Sequence, residues 1–206
     1  MIDLSIPGQM TENELRGIEA IAAGAPQNAQ IVEIGSLFGL SSVTWASSAP
    51  LGSTVFCIDP WVREQWIIDL VETKIPNCPI FSREAFNNFT KSYKNITPLQ
   101  GYSPQDFTNW RQPVDVLFDD AMHHNPFLRT NLRFWLQFMK PGAVMCGHDY
   151  CQMWPDVIAE VNLIAEELKI AVFTTETLWW MRMPNDFRPK SYNRRGHKSW
   201  QAILQP

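Results

Sequence analysis

The chain has 206 residues, 45% of them hydrophobic, with nine Trp and twelve Phe, which is enough apolar mass for the core of one globular domain. A net charge of −4 and a pI near 5.6 count against a protein that wraps a nucleic-acid backbone over a broad basic face, and a small ligand fits better. The N-terminal stretch MIDLSIPGQM lacks the charged and apolar regions of a secretory signal, and no run approaches the ~20 apolar residues of a membrane span, so a cytoplasmic location is expected. Cys57, Cys78, Cys146 and Cys151 form no C-x-x-C pair and read as reduced, structural thiols.

In chain order, residues 1–27 hold an N-terminal helix. Thr11 and Glu14 make a capping box, Met10 and Leu15 are spaced as a hydrophobic staple, and Leu15, Ile18, Ile21 and Ala22 form a helical stripe ending at Gly24. Pro26 breaks the pattern. In QIVEIGSLFGLSSVTW, over 30–45, Ile31, Val32 and Ile34 read as a strand buried on both faces, Gly35 ends it, and Gly39 opens a helix. A strand turning sharply into a helix aims free backbone N–H groups at one spot, where glycines let a ligand approach. A dinucleotide fold wants G-x-G-x-x-G here, whereas this chain has E-I-G-S-x-x-G-x-S. With two glycines and Glu33 at its mouth, the turn suits a ligand that has an amino group and no phosphate.

STVFCID is a second buried strand, and Asp59 comes about twenty residues after Gly39, where ribose-binding acids sit in nucleotide folds, although an Asp can also merely cap the next segment. Residues 60–80 fit neither a clean helix nor a strand. Their Trp61 and Trp66 suggest an inserted flap over an acceptor or a homodimer contact. Ser82 reads as an N-cap of a helix running to about Lys94, ITPLQG as a strand, and 104–111 as a further helix. VDVLFD then delivers Asp119 and Asp120 to a strand end. Asn125 and Pro126 open a helix carrying Phe127, Leu128, Leu132, Trp135, Leu136 and Met139, and PGAVMCGHDY is a turn, a strand and then His148-Asp149. Trp154 and Pro155 start another helix, followed by two adjoining strands in IAVFTTE and TLWWMRM. The tail, 184–206, sets Arg188, Lys190, Arg194, Arg195 and Lys198 against Asp186, and reads as a solvated edge or as an anion contact near an acceptor.

The alternation predicts a single α/β domain with a doubly wound, mostly parallel Rossmann-like sheet, helices on both faces and a C-terminal antiparallel strand. Ligands of such sheets bind beyond the carboxyl ends of the strands. Glu33, Ser36, Asp59, Tyr102, Ser103, Asp119, His123, His148 and Asp149 all fall at those ends.

VEIGSLFGLSS, FCIDPW, LQGYSPQDF, VLFDDAMHH, KPGAVMCGHDY and WPDVIAEV, spread over residues 28–183, resemble the class I S-adenosylmethionine (SAM) methyltransferases of the macrolide O-methyltransferase and cephalosporin hydroxylase-like family. The resemblance implies a SAM site built from Glu33, Gly35, Ser36, Phe38, Gly39 and Ser41 around the methionyl part, Asp59 at the ribose and Tyr102 and Ser103 beside the adenine, with Trp61 and Asp119 as further cofactor-binding residues. Acids matching Asp119 and the pair His148-Asp149 bind a divalent metal, Mg or Mn, in several members. Asp120 replaces the usual glycine and His148 stands where metal-dependent members often carry an acid. Asn125-Pro126-Phe127 matches only half of the Asn-Pro-Pro-aromatic motif of amino methyltransferases.

The implied reaction is O-methylation of a small-molecule or sugar hydroxyl. The sulfonium of SAM is already a good leaving group, so the protein must align the acceptor and remove or mask its proton, for which His123, His124, His148 and Asp149 are the candidates. Two other classes fit the same residues. One is a metal-dependent oxidoreductase or hydroxylase, with two carboxylates and a His holding iron. The other is a non-catalytic nucleotide-binding module.

Overall fold

The computed structural model describes residues 2–73 and 78–188, apart from the side chains of Trp66 and Leu70. Lys190, Arg194, Arg195 and Lys198 of the basic tail lie outside the described residues. Seven strands form one sheet in the order β3-β2-β1-β4-β5-β7-β6. They are β1 Gln30–Ile34, β2 Thr54–Asp59, β3 Ile96–Gln100, β4 Val114–Asp119, β5 Met139–Gly147, β6 Phe173–Thr175 and β7 Leu178–Arg182. The first five pair in parallel, and β7 runs antiparallel to both β5 and β6. The helices are α1 Glu12–Ala23, α2 Leu40–Ser48, α3 Gln65–Ile67, α4 Arg83–Thr90, α5 Phe127–Leu136 and α6 Pro155–Leu168.

Strand parity divides the core. Ile31, Val55, Cys57, Val116, Phe118 and Cys146 face α1, α2 and α4, while Val32, Ile34, Ile58, Leu117 and Met145 face α5 and α6. Because the central strands are covered on both sides, each carries buried apolar residues on both faces. Local signals set the helix starts. Thr11 caps α1 with the full capping box to Glu14, Ser82 accepts the N–H of Ala85 at the head of α4, and Pro155 opens α6.

Three element boundaries differ from the sequence expectation. Helix α4 stops at Thr90 rather than near Lys94. Residues 104–111 hold only a 3₁₀ turn, Gln105–Phe107, because the Asp106 carboxylate accepts the Tyr102 N–H at 2.8 Å and closes the chain locally. Met139 is not in α5 but opens β5, paired with Val114, and an apolar residue at a helix–strand junction satisfies either period. The segment after β2 is more regular than expected, with α3 running into one π-helical turn, Ile68–Glu72.

Candidate active site at the carboxyl edge of the sheet

Strand register assembles the site. Ile34 pairs with both Ile58 and Asp119, and Asp119 pairs with Gly147, so the residues that follow, Gly35, Asp59, Asp120 and His148, leave the sheet side by side. This is the point where the strand order reverses on either side of β1, the usual ligand crevice of a doubly wound sheet. Gly35 adopts φ +86°, and a Cβ there would lie 2.1 Å from the carbonyl oxygen of Asp120, so only glycine lets the two loops cross. Leu37 and Trp61 also have positive φ, 49° and 44°, a conformation costing roughly 1–2 kcal/mol for a side-chain-bearing residue. Asp59 holds both: its Oδ2 accepts the N–H of Leu37 at 3.0 Å and its Oδ1 that of Trp61 at 2.7 Å. Burial pushes the Asp59 carboxyl up to about 6 despite these donors.

Above this edge lie two adjoining cavities of about 210 and 590 Å³, which share Pro60, Val62, Tyr102, Ser103, Ala121 and Met122. Gly35, Ser36, Ser41, Asp59, Asp120 and His123 line the first, and Phe127 and Asn131 help to line the second. Among the described residues no Lys or Arg lines either. Ser103 is fixed from behind: Trp135 Nε1 donates to its Oγ at 2.8 Å, and that Oγ donates to Asn131 Oδ1 at 2.6 Å.

Of the residues expected to bind cofactor, Gly35, Ser36, Ser41, Asp59, Tyr102 and Ser103 line these cavities, and five, Glu33, Phe38, Gly39, Trp61 and Asp119, do not. Glu33 shares the Ile31 face of β1 and is fully buried beneath α2, where Ser42 donates to it, so it is not at the mouth of the turn. Phe38 points into the core against Phe81 and Phe89. Gly39 backs onto Thr90, with a built Cβ 2.7 Å from its methyl group. Trp61 is buried on Phe86 and donates from Nε1 to Leu37 O at 3.0 Å, so it braces the glycine turn from below and is not an exposed flap or dimer contact.

The expected metal set, Asp119 with His148 and Asp149, is not brought together. Asp119 follows Leu117 onto the α5 face, where the Asn131 amide donates to it, and burial pushes it up to about 6. Asp120, one residue later, takes the outward position. Asp120, His123 and Asp149 each offer one ligand atom within 4.8 Å of the others. His123 Nε2 is 2.9 Å from Asp149 Oδ2 and 3.8 Å from Asp120 Oδ1, yet it is buried without an aligned hydrogen bond. His148 flanks this cluster: its Nδ1 lies 3.4 Å from Asp149 Oδ2, and its Nε2 lies 3.2 Å from Glu14 Oε2 and 3.0 Å from Thr177 Oγ1. His124, by contrast, sits on the surface against Trp154.

A family model described as a methyltransferase domain matches residues 32–150, more than half of the chain. The chain belongs to this methyltransferase family. It is a class I SAM-dependent member, as the sequence resemblance implied. Comparison with curated protein sequences gave no match. Among solved structures, the O-methyltransferase from Bacillus cereus in complex with SAH superposes with TM-score 0.59 at 17% identity, over 86% of this chain and 84% of that one. The precorrin-6y C5,15-methyltransferase from Geobacter metallireducens gives 0.61 at 12%, over 88% and 97%. An rRNA methylase from Streptococcus thermophilus gives 0.58 at 13%, over 85% and 99%. Likenesses this distant show the shared fold alone.

The methyltransferase carries two charged imidazoles beside its acids. Burial alone would lower His123, but Asp120 and Asp149 outweigh it and hold it at about 9. His148 is likewise held at about 11 by Asp149, Glu14 and Asp120 against its burial. Burial would raise Asp149 too, and the two histidines instead keep it well below the usual carboxylate range. A histidine whose folded pKa exceeds its unfolded value contributes stability that is full below about pH 6.5 and is lost as pH rises through the folded pKa. Metal-free protein should therefore lose on the order of 2–3 kcal/mol between pH 7 and 10 through His123. Urea unfolding in EDTA at several pH values checks this, and His123→Gln should flatten the slope; equal slopes in both proteins would refute the assignment.

Residues that sequence reasoning missed include Asp120 as a cluster member and Met10, Ile67, Val71 and Phe81 as cavity wall. Asp120 had a signal, its departure from the family glycine. The wall residues had none, since an apolar side chain facing a cavity looks in sequence like one facing the core.

Proposed function

We propose that the chain transfers the methyl group of SAM to a hydroxyl oxygen of a small molecule, with a divalent cation held by Asp120, His123 and Asp149. The observation that carries the reading is that Asp120 and His123 line the same cavity as Gly35 and Asp59. Cofactor and acceptor chemistry therefore share one space. Gly35 and Ser36 would face the methionyl part, Asp59 would accept the ribose hydroxyls, and the second cavity, between Tyr102-Ser103 and Phe127, would take the adenine. Among the described residues neither cavity presents a Lys or Arg, which suits a phosphate-free cofactor.

The donor set of one imidazole and two carboxylates fits Mn²⁺, Fe²⁺ or Mg²⁺, and the buried, unaligned Nε2 of His123 is the group such an ion would satisfy. When bound, the cation supplies Lewis acidity that lowers the pKa of the acceptor hydroxyl. The alternative, a metal-free base, fits less well, because both His123 and His148 are protonated at neutral pH in this arrangement and a general base must be free to take a proton. Glu14 and Thr177 hold the far side of His148, and His148 fixes Asp149, so α1 orients the cluster.

No described helix is long and apolar enough to cross a membrane. Thermal melts with SAH and with NAD test the cofactor reading. SAH at about 100 Kd should stabilise the fold by about 2.7 kcal/mol and NAD not at all. Stabilisation by NAD alone would move the chain to the oxidoreductase class. Incubation with methyl-labelled SAM and a panel of alcohols, phenols and amines then reads the acceptor atom.

A further inference from the structure

We infer that the outer wall of the first cavity selects a neutral, mainly apolar acceptor and rejects anionic ones. The inference rests on reading that cavity as the methyl-transfer site. Besides Gly35 and Asp59, six apolar side chains line this cavity: Met10 from the segment before α1, Leu40 at the head of α2, Val62, Ile67 and Val71 from the segment after β2, and Phe81 before α4. None carries a charge, and Gln9 is the one polar side chain of this wall among the described residues. The N-terminal segment and the β2–α4 connection are additions to the α/β frame rather than parts of it, and such loops are where specificity is usually built.

The charges of the site all lie elsewhere. Asp59 and Asp120 in the first cavity and Glu64 and Asp106 in the second are acids, and His123 is the sole basic group lining either one among the described residues. A bound SAM brings a sulfonium and an ammonium to these acids and so uses their attraction. An acceptor bearing a carboxylate, sulfate or phosphate would have to shed water against the apolar wall, where no described side chain offers a compensating charge. An ammonium on the body of the acceptor would meet the same desolvation cost. A neutral hydroxyl compound with an apolar body avoids that cost and buries its body on Ile67, Val71 and Phe81.

The test is calorimetry of SAH-loaded protein with trios of one skeleton, such as 4-propylphenol, 3-(4-hydroxyphenyl)propionate and tyramine, and equivalent trios on larger rings. The neutral member should bind best in each trio that shows binding, by at least roughly tenfold over the carboxylate. Ile67→Lys, at a half-buried wall position, should narrow that gap, and Met10→Lys repeats the test from the opposite side. A carboxylate binding as tightly as its neutral partner overturns the inference, as does the failure of every neutral member to bind at about 1 mM. Failure of SAH itself to bind counts against the methyltransferase reading instead. The trios are then run on ligand-free protein, where the wall demands the same order.

Discussion

Chelation by EDTA should abolish methyl transfer to a competent acceptor, and Mn²⁺ or Mg²⁺ should restore it. The expected loss is roughly 10²- to 10⁴-fold, the scale of removing the group that handles the acceptor proton. Asp149→Asn and His123→Ala should each fall into the same range and should lower the affinity for Mn²⁺, measured directly by titration. Asp119→Asn should not, since Asp119 faces Asn131 and lies outside the cluster. Full turnover in EDTA, with loss confined to His123→Ala or His148→Ala, would mean that an imidazole acts as the base and that the high values of both histidines drop when the cofactor binds.

Gly35→Ala should destabilise the fold by about 2–5 kcal/mol and eliminate SAH binding. Two costs add: the positive φ of 86° penalises any Cβ, and that Cβ would sit 2.1 Å from the Asp120 carbonyl, where backbone must move. The movement would part the Gly35 loop from the Asp120 loop, which together form the cavity floor. Gly24→Ala is the control. Gly24 has φ −82° and its nearest neighbour to a built Cβ is 3.4 Å away, so the change should be close to neutral. Urea unfolding of both variants checks the contrast, and equal stabilities would mean that the loop crossing is not tight.

Much of this architecture is legible from short-range pattern. The buried run Ile31-Val32-Ile34, the Gly35 and Gly39 punctuation and the Thr11/Glu14 capping box each encode a local conformation, and the structure contains each of them. What was not legible depends on which way a side chain faces once strands are paired. Asp119 and Asp120 look equivalent in sequence, but pairing of Asp119 with Ile34 and Gly147 fixes it inside the sheet and on the α5 face, leaving Asp120 to the cavity. Glu33 was placed at the turn's mouth by its position, and strand parity puts it under α2 instead. Glu14 is the same lesson at longer range. Its capping role follows from a three-residue spacing, whereas its contact with His148 and Thr177 arises only when α1 packs beside β6 and the turn into β7. Residues 60–80 lacked a period because α3 is short and passes into a π-helical turn, yet Ile67 and Val71 still point inward.

The most direct test of the account is a calorimetric titration of SAH into wild-type protein and into Asp59→Ala at pH 8, where Asp59, raised to about 6, is ionised in the wild type. The wild type should bind one SAH per chain. The variant should lose about 1.5–3 kcal/mol of that affinity, because the ribose hydroxyls lose a charged acceptor and Leu37 and Trp61 lose the carboxylate that holds their backbone. Absence of SAH binding to the wild type, or equal affinity in the variant, would contradict the placement of the cofactor at Gly35 and Asp59.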